Sequence, residues 1–273
     1  MVARVLENIE FDIQAMDEFL GRDLVRLYSI TKTHLSYVSR KKILDRIIPF
    51  IYEQAKAIFR RGVSASLSHY KNYEPGDDWD IYMTIEKMLS LGKTLPDYEV
   101  ILTKTPKIKK KNIVLCIDKS MSVMELIHQI SITASILALS VKKENIAIIE
   151  FDSKARIIKS MHEHIEPDYL IQQILDIESG GKTNLYEAIQ LATEQLQSIT
   201  SSEKIVYIIS DCDRTIGDNP LPLMAKIPEI KLIYAKTSRK IQFVDEILKL
   251  PTKLTFLELN RDTDLVELTK KMV

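Results

Sequence analysis

The apolar positions of the first sixty residues recur at helical spacing. Leu6, Ile9, Ile13, Met16 and Leu20 step by three and four, and Ile43, Ile47 and Ile51 step by fours. Each series therefore lines one face of a helix, and the spacing predicts helices from Val2 to about Phe59 whose stripes face a core. Pro49 interrupts the second series; its missing N–H predicts a kink there or a helix that starts close to it. Tyr73-Glu-Pro-Gly-Asp-Asp-Trp-Asp80 opens on a Pro-Gly turn, becomes acidic and feeds a helical stretch, Met83 to Leu91, that stops at Gly92. After Pro96, the alternation from Tyr98 to Leu102 and the run Lys107, Lys109, Lys110, Lys111 predict an extended linker with a solvated charge run.

From Asn112 the rhythm changes. Short, fully apolar runs alternate with amphipathic ones, the pattern of a parallel sheet covered on both faces. Strands are expected at Ile113–Ile117, Ile146–Phe151, Ile205–Ile209, Ile230–Tyr234 and Leu254–Leu257, with an edge strand at Arg156–Ile158. Helices are expected at about Val123–Val141, Tyr169–Leu175, Leu185–Leu196, Ile241–Leu248 and Asp264–Met272. The fold class is α/β: a doubly wound, mostly parallel sheet with helices on both faces, preceded by a helical N-terminal region. The expected division puts that region, with the acidic loop and linker, in residues 1–106 and the sheet domain in 107–273. No repeat or low-complexity segment interrupts either part.

Composition narrows the possible partners. The 273 residues are 45% hydrophobic, enough for a packed core, and 38 Lys and Arg balance 38 Asp and Glu. With no net charge, no whole-chain field draws the protein to nucleic acid or an anionic membrane, and a charged partner must be met by a local site. The lysine run lacks the interleaved aromatics of a nucleic-acid surface. The two cysteines, Cys116 and Cys212, sit in or beside apolar runs, which suits buried reduced thiols better than a disulfide framework. The N-terminal segment interleaves charges with apolar residues, unlike a signal peptide or membrane span, so a cytoplasmic location is expected.

In an open parallel sheet, ligands bind beyond the carboxyl ends of the strands, where strand order reverses. The first strand ends Asp118-Lys-Ser120-Met-Ser122, a carboxylate followed by hydroxyls at the second and fourth positions. A later strand ends Ser210-Asp211-Cys212-Asp213, and Gly180-Gly181-Lys182-Thr183 between them is a glycine turn carrying a third hydroxyl. Two carboxylates and three hydroxyls make an all-oxygen set suited to Mg2+ or Mn2+. The hydroxyls add no charge, so two aspartates at most neutralise the ion. It stays attractive to one further carboxylate, such as an Asp or Glu of a protein partner.

This pattern resembles the metal-ion-dependent adhesion site of von Willebrand factor type A domains, whose Asp-x-Ser-x-Ser loop, distal Thr and distal Asp match Asp118, Ser120, Ser122, Thr183 and Asp211. The resemblance implies that the hydroxyls coordinate the metal and that the aspartates act directly or through water. Upstream, Tyr73 to Asp80 with Thr84-Ile85 and the basic linker look like the CoxE-like members associated with MoxR-type AAA+ ATPases. That likeness implies an AAA+ partner, and an adaptor or co-chaperone role in the assembly or maturation of a protein complex. Met121, Lys182 and Cys212 each stand where the family usually has glycine, which permits backbone angles and approaches that side chains do not. Met121 and Lys182, with Asp213, are expected to form the partner-binding rim.

Other chemistries fit less well. Gly181-Lys182-Thr183 lacks the earlier glycine of a phosphate loop, Asp176 standing there, and it does not follow a strand. His162 and His164 would share one face of a strand but have no third ligand near them. Asp118 and Asp211 could instead hold a catalytic metal for phosphoester hydrolysis. Against this, Asp118-Lys119-Ser120 is not an Asp-x-Asp nucleophile motif and Ser120 has no adjacent histidine. Asp152, which also follows a strand, is ambiguous. The favoured expectation is a non-enzymatic module for metal-dependent protein interaction. The alternatives are the hydrolase and a scaffold whose metal site has degenerated.

Overall fold

The computed structural model describes residues 21–59, 68–74, 79–106, 111–141, 145–197, 203–237 and 241–272. The predicted helix from Leu6 to Leu20, the Pro75 to Asp78 turn and Lys107, Lys109 and Lys110 lie outside the described residues. The chain separates into two compact units, one of Met1–Gly62 with Lys110–Val273 and the other of Val63–Lys109. This partition differs from a division at 106/107, because helices Gly21–Thr31 (α1) and Tyr37–Phe59 (α2) share a core with the sheet.

The smaller unit pairs Ser68–Asn72 (β1) antiparallel with Leu102–Pro106 (β2) and carries helix Ile81–Ser90 (α3) between them. Asp80 caps α3, its carboxylate accepting the Met83 N–H at 3.1 Å. The run from Tyr98, expected to be extended, begins as a turn: Asp97 Oδ1 accepts the N–H groups of Glu99 and Val100 at 3.1 and 3.2 Å, and the strand starts only at Leu102.

In the larger unit, strands Asn112–Asp118 (β3), Asn145–Phe151 (β4), Ala155–Lys159 (β5), Lys204–Ser210 (β6), Glu229–Ala235 (β7) and Lys253–Leu259 (β8) form one sheet in the order β5-β4-β3-β6-β7-β8. All neighbours are parallel except β4 and β5. Every residue of β3 is buried, as a central strand covered on both faces requires. Alternate side chains feed two cores: Ile113, Leu115 and Ile117 point to one and Val114 and Cys116 to the other.

The first core holds the 3-10 turn Met121–Leu126, helix Ile127–Ser140 (α4), helix Pro167–Leu175 (α5) and the C-terminal helix Leu265–Met272 (α9), joined by α1 and α2. Helix Leu185–Gln197 (α6) fills the second with Leu185, Ala188, Ile189 and Ala192. The short helices Leu221–Met224 (α7) and Gln242–Ile247 (α8) complete that face. The expected stripe on α2 does face the first core, with Ile43, Ile47 and Ile51 fully buried. The helix runs through Pro49 rather than starting there, with the proline on its exposed side. Met121–Ser140 is long and apolar enough to cross a membrane, at a mean hydropathy of 1.4, but 72% of that window is buried inside the fold. A helix apolar all round is what the middle of a layered core demands.

Candidate functional site

Chain order reverses at β3, which has β4 on one side and β6 on the other. The carboxyl ends of β3 and β6 therefore flank the switch point where crevices form. Asp118 is the last residue of β3 and Asp211 follows β6 directly, both fully buried. Ser120 and Thr183 are buried at the same edge, whereas Ser122 is exposed.

Short local bonds fix the first loop. The Ser120 N–H donates to Asp118 Oδ1 at 2.8 Å, and the Ser120 and Ser122 hydroxyl oxygens lie 2.9 Å apart. The expected helix from Val123 begins instead as the 3-10 turn Met121–Leu126, which holds Ser122 near its partner hydroxyl. The glycine turn is locked to this loop by backbone bonds, Gly180 N–H to Lys119 O at 2.8 Å and Met121 N–H to Gly181 O at 3.2 Å. Its other side meets the loop after β4, where Lys182 N–H donates to Ser153 Oγ at 2.9 Å. Thr183 N–H donates to Thr215 Oγ1 at 2.8 Å, which ties the turn to the loop after β6. Asn184, N-terminal to α6, accepts the Glu187 N–H through its side-chain oxygen at 3.3 Å.

Ser210, Thr215 and Ser153 were not singled out from the sequence. Ser210 joins the two carboxylate loops: its hydroxyl donates to Asp118 Oδ2 and accepts the Cys212 N–H at 2.8 Å. Its place beside Asp211 at a strand end was the available signal. Asp213 is half-buried and its N–H donates to Asp211 Oδ1 at 3.0 Å. Asp152 lies 3.6 Å from Lys119 and packs on the glycine turn. His162 and His164 are exposed in the loop after β5, not on a strand face, because β5 ends at Lys159.

The three positions enlarged from glycine behave differently. Cys212 alone needs glycine-like geometry: among the described residues it is the one non-glycine with positive φ, at 57°. Its thiol is buried and free, and burial raises its pKa. Met121 is 60% exposed and Lys182 is exposed, so both side chains leave the site rather than fill it. Gly181, by contrast, is required, with φ at 69° and a Cβ that would come within 2.8 Å of Ser153 Oγ.

The electrostatics of the edge suit a cation. Burial pushes the Asp118 carboxyl up to about 7, and Asp211 is raised by the same cause, against the Asp213 N–H and the Ser122 hydroxyl. Among the described residues neither carboxylate has an ion-pair partner, and Asp211 Oδ2 is buried with no hydrogen-bond donor. Buried charge without a counter-charge is costly, and a divalent ion held by oxygen ligands would supply one. Among the described residues no three His, Cys, Asp or Glu side chains cluster to hold an ion, so one at this edge would depend on the hydroxyls as well. The donor set therefore fits a hard ion such as Mg2+ or Mn2+.

Comparison with curated proteins found no match. Among solved structures the chain is similar to proximal thread matrix protein 1 from the mussel byssus, at 16% identity over 59% of this chain and 46% of that one, with a TM-score of 0.48. It is similar to a von Willebrand factor type A protein from Catenulispora acidiphila, at 14% identity over 63% and 43% with a TM-score of 0.47. BatB from Bacteroides thetaiotaomicron gives 15% identity over 59% and 97% with a TM-score of 0.46. The chain thus spans less than half the length of the first two, 46% and 43%. Residues 113–214, from β3 to just past β6 and including Asp118, Ser120, Ser122, Thr183 and Asp211, match the family model described as von Willebrand factor type A domain.

Proposed function

We propose that this chain is a protein-interaction module in which Asp118, Ser120, Ser122, Thr183 and Asp211 hold Mg2+ or Mn2+, and a partner's Asp or Glu completes the shell. The observation that carries this reading is the pair of fully buried aspartates at the sheet's switch point that have no counter-charge among the described residues, one with an oxygen that no described group donates to. The ion would neutralise that charge and attract one more carboxylate. Ser210 and the Ser120 N–H orient Asp118, and the Asp213 N–H orients Asp211. Met121, Lys182 and Asp213 form the rim. The exposed Lys182 ammonium has no ion-pair partner among the described residues and suits an acidic approach. The upstream resemblance makes a MoxR-type AAA+ ATPase the first partner to try, with assembly or maturation of another complex as the outcome. Free buried thiols at Cys116 and Cys212 suit work in the cytoplasm.

Affinity purification with Mg2+, with and without ATP, should retain a partner that chelator and Asp118→Ala both release. Calorimetric titration of Mg2+ and Mn2+ should give heat with the native chain and little with Thr183→Ala. Heat from neither protein would leave only the scaffold reading. Phosphoester turnover by the pure protein would replace the interaction reading with the hydrolase.

A further inference from the structure

The turn that carries Thr183 has a second anchor, remote from the aspartates. Lys32, just after α1, is only 5% exposed, and its ammonium donates to the carbonyls of Leu175 and Ile177 at 2.9 and 2.6 Å. Asp176, between those two residues, takes the Tyr28 hydroxyl from α1 and Arg40 Nη2 from α2, the latter at 3.0 Å. Three consecutive residues at the end of α5 are thus gripped by three side chains of the N-terminal helices. The carbonyls at a helix end are orphan acceptors, and a cation there is favoured. Burial lowers the Lys32 pKa to about 8 while Asp176 and Glu178 oppose the fall, so this ammonium is kept dry at some cost.

The geometry has a consequence for the turn. From Asp176 to Thr183 the chain has no helix or strand of its own, so its path is set by its two ends. The far end meets the site through the Gly180, Gly181 and Thr183 backbone bonds, and the near end is the Lys32, Tyr28 and Arg40 grip. We propose that Lys32, together with Tyr28 and Arg40, positions the Thr183 turn and thereby sets the affinity of the site for its ion. The proposal rests on the ion-binding reading. It makes the N-terminal helices part of the site without their touching it, and any partner that shifts them would tune ion binding.

The test uses the full chain as wild type, Lys32→Met and the near-isosteric Tyr28→Phe, which keeps the proposal testable if the lysine variant does not fold. Hydrogen exchange without metal should quicken at the Gly180, Lys182 and Thr183 amides while Ile208 in β6 stays protected. Mn2+ titration should show binding weakened roughly ten- to a hundredfold, the range for groups that orient metal ligands. Unchanged exchange and affinity in both variants, with only Tm reduced, would overturn the positioning role alone. Absence of any binding by the wild type would sink the ion reading and the affinity claim together, while faster exchange would still mark the grip on the turn.

Discussion

Burial of Asp118 couples the stability of this protein to pH. Burial raises its carboxyl from an ordinary 3.8 to about 7, so between those values the native chain holds a proton that the unfolded chain has released. The native state then binds more protons than the unfolded state, and stability falls as pH rises through that window and levels off above it. Thermal melts of metal-free protein from pH 4 to 8 should show this decline, and Asp118→Asn should flatten it and melt higher than wild type at pH 7. A wild-type Tm that climbs through the window would contradict the assignment. Saturating Mg2+ should reverse the order of the two proteins at pH 7, because only the aspartate gains a counter-charge. A second residue is constrained by space rather than charge. Gly181→Ala places a Cβ at a φ of 69° against Ser153 Oγ and the Asp152 carboxylate, and should cost about 1–3 kcal/mol in denaturant unfolding. The sequence identified Asp118, Ser120, Ser122, Thr183 and Asp211 through their spacing after apolar runs. It could not separate Cys212, which takes a left-handed angle, from Met121 and Lys182, which do not, because a backbone angle is set by the loop's closure and not by the residue's type.

At the scale of elements, legibility followed burial. The central strands β3, β4, β6 and β7 are buried on both faces and are visible as short, mainly apolar runs, unbroken in β3 and β6 and interrupted only by the buried Glu150 in β4 and Lys231 in β7. Ser68-His-Tyr-Lys-Asn of β1 carries no such run, and its pairing with β2 some thirty residues later was invisible. The bridging hydroxyls of Thr215 and Ser153 are equally hidden, since each acts across loops that only the fold brings together, whereas Ser210 at least stands beside Asp211 at a strand end. Pro49 shows a local rule overridden by packing. Its ring should break a helix, yet Ile43, Ile47 and Ile51 bury one continuous face of α2 on both sides of it. Burial of that stripe outweighs one lost backbone bond. Pro49→Ala, on the exposed side, restores an N–H and should raise stability by about 1–3 kcal/mol. A lower Tm for this variant would mean that the proline itself packs.

The larger unit is layered more deeply than the two-part pattern of the sequence suggests. Helix α4 is buried on all sides, with Ile130, Ile132, Ile136 and Leu137 all 2% exposed or less. A sheet can cover only one side of a helix, so a helix apolar all round needs a second cover, and α1 and α2 supply it with Leu24, Val25, Tyr28, Ile43, Ile47 and Ile51 in the same core. The apolar composition of Ile127–Ser140 states that need by itself; which segment answers it depends on how the chain folds back. A fragment cut at the division read from sequence, residues 107–273, keeps the sheet and every candidate ligand but leaves that face of α4 bare. Exposed apolar surface of this extent drives association, so the fragment should bind a hydrophobic dye and aggregate or lose a cooperative melt, whereas the full chain should not. A soluble fragment with a sharp transition and no dye binding would show instead that α1 and α2 are accessories. The same comparison bears on the site, because the fragment also loses the Lys32, Tyr28 and Arg40 hold on residues 175–177. The layer that completes the core is the layer that grips the Thr183 turn.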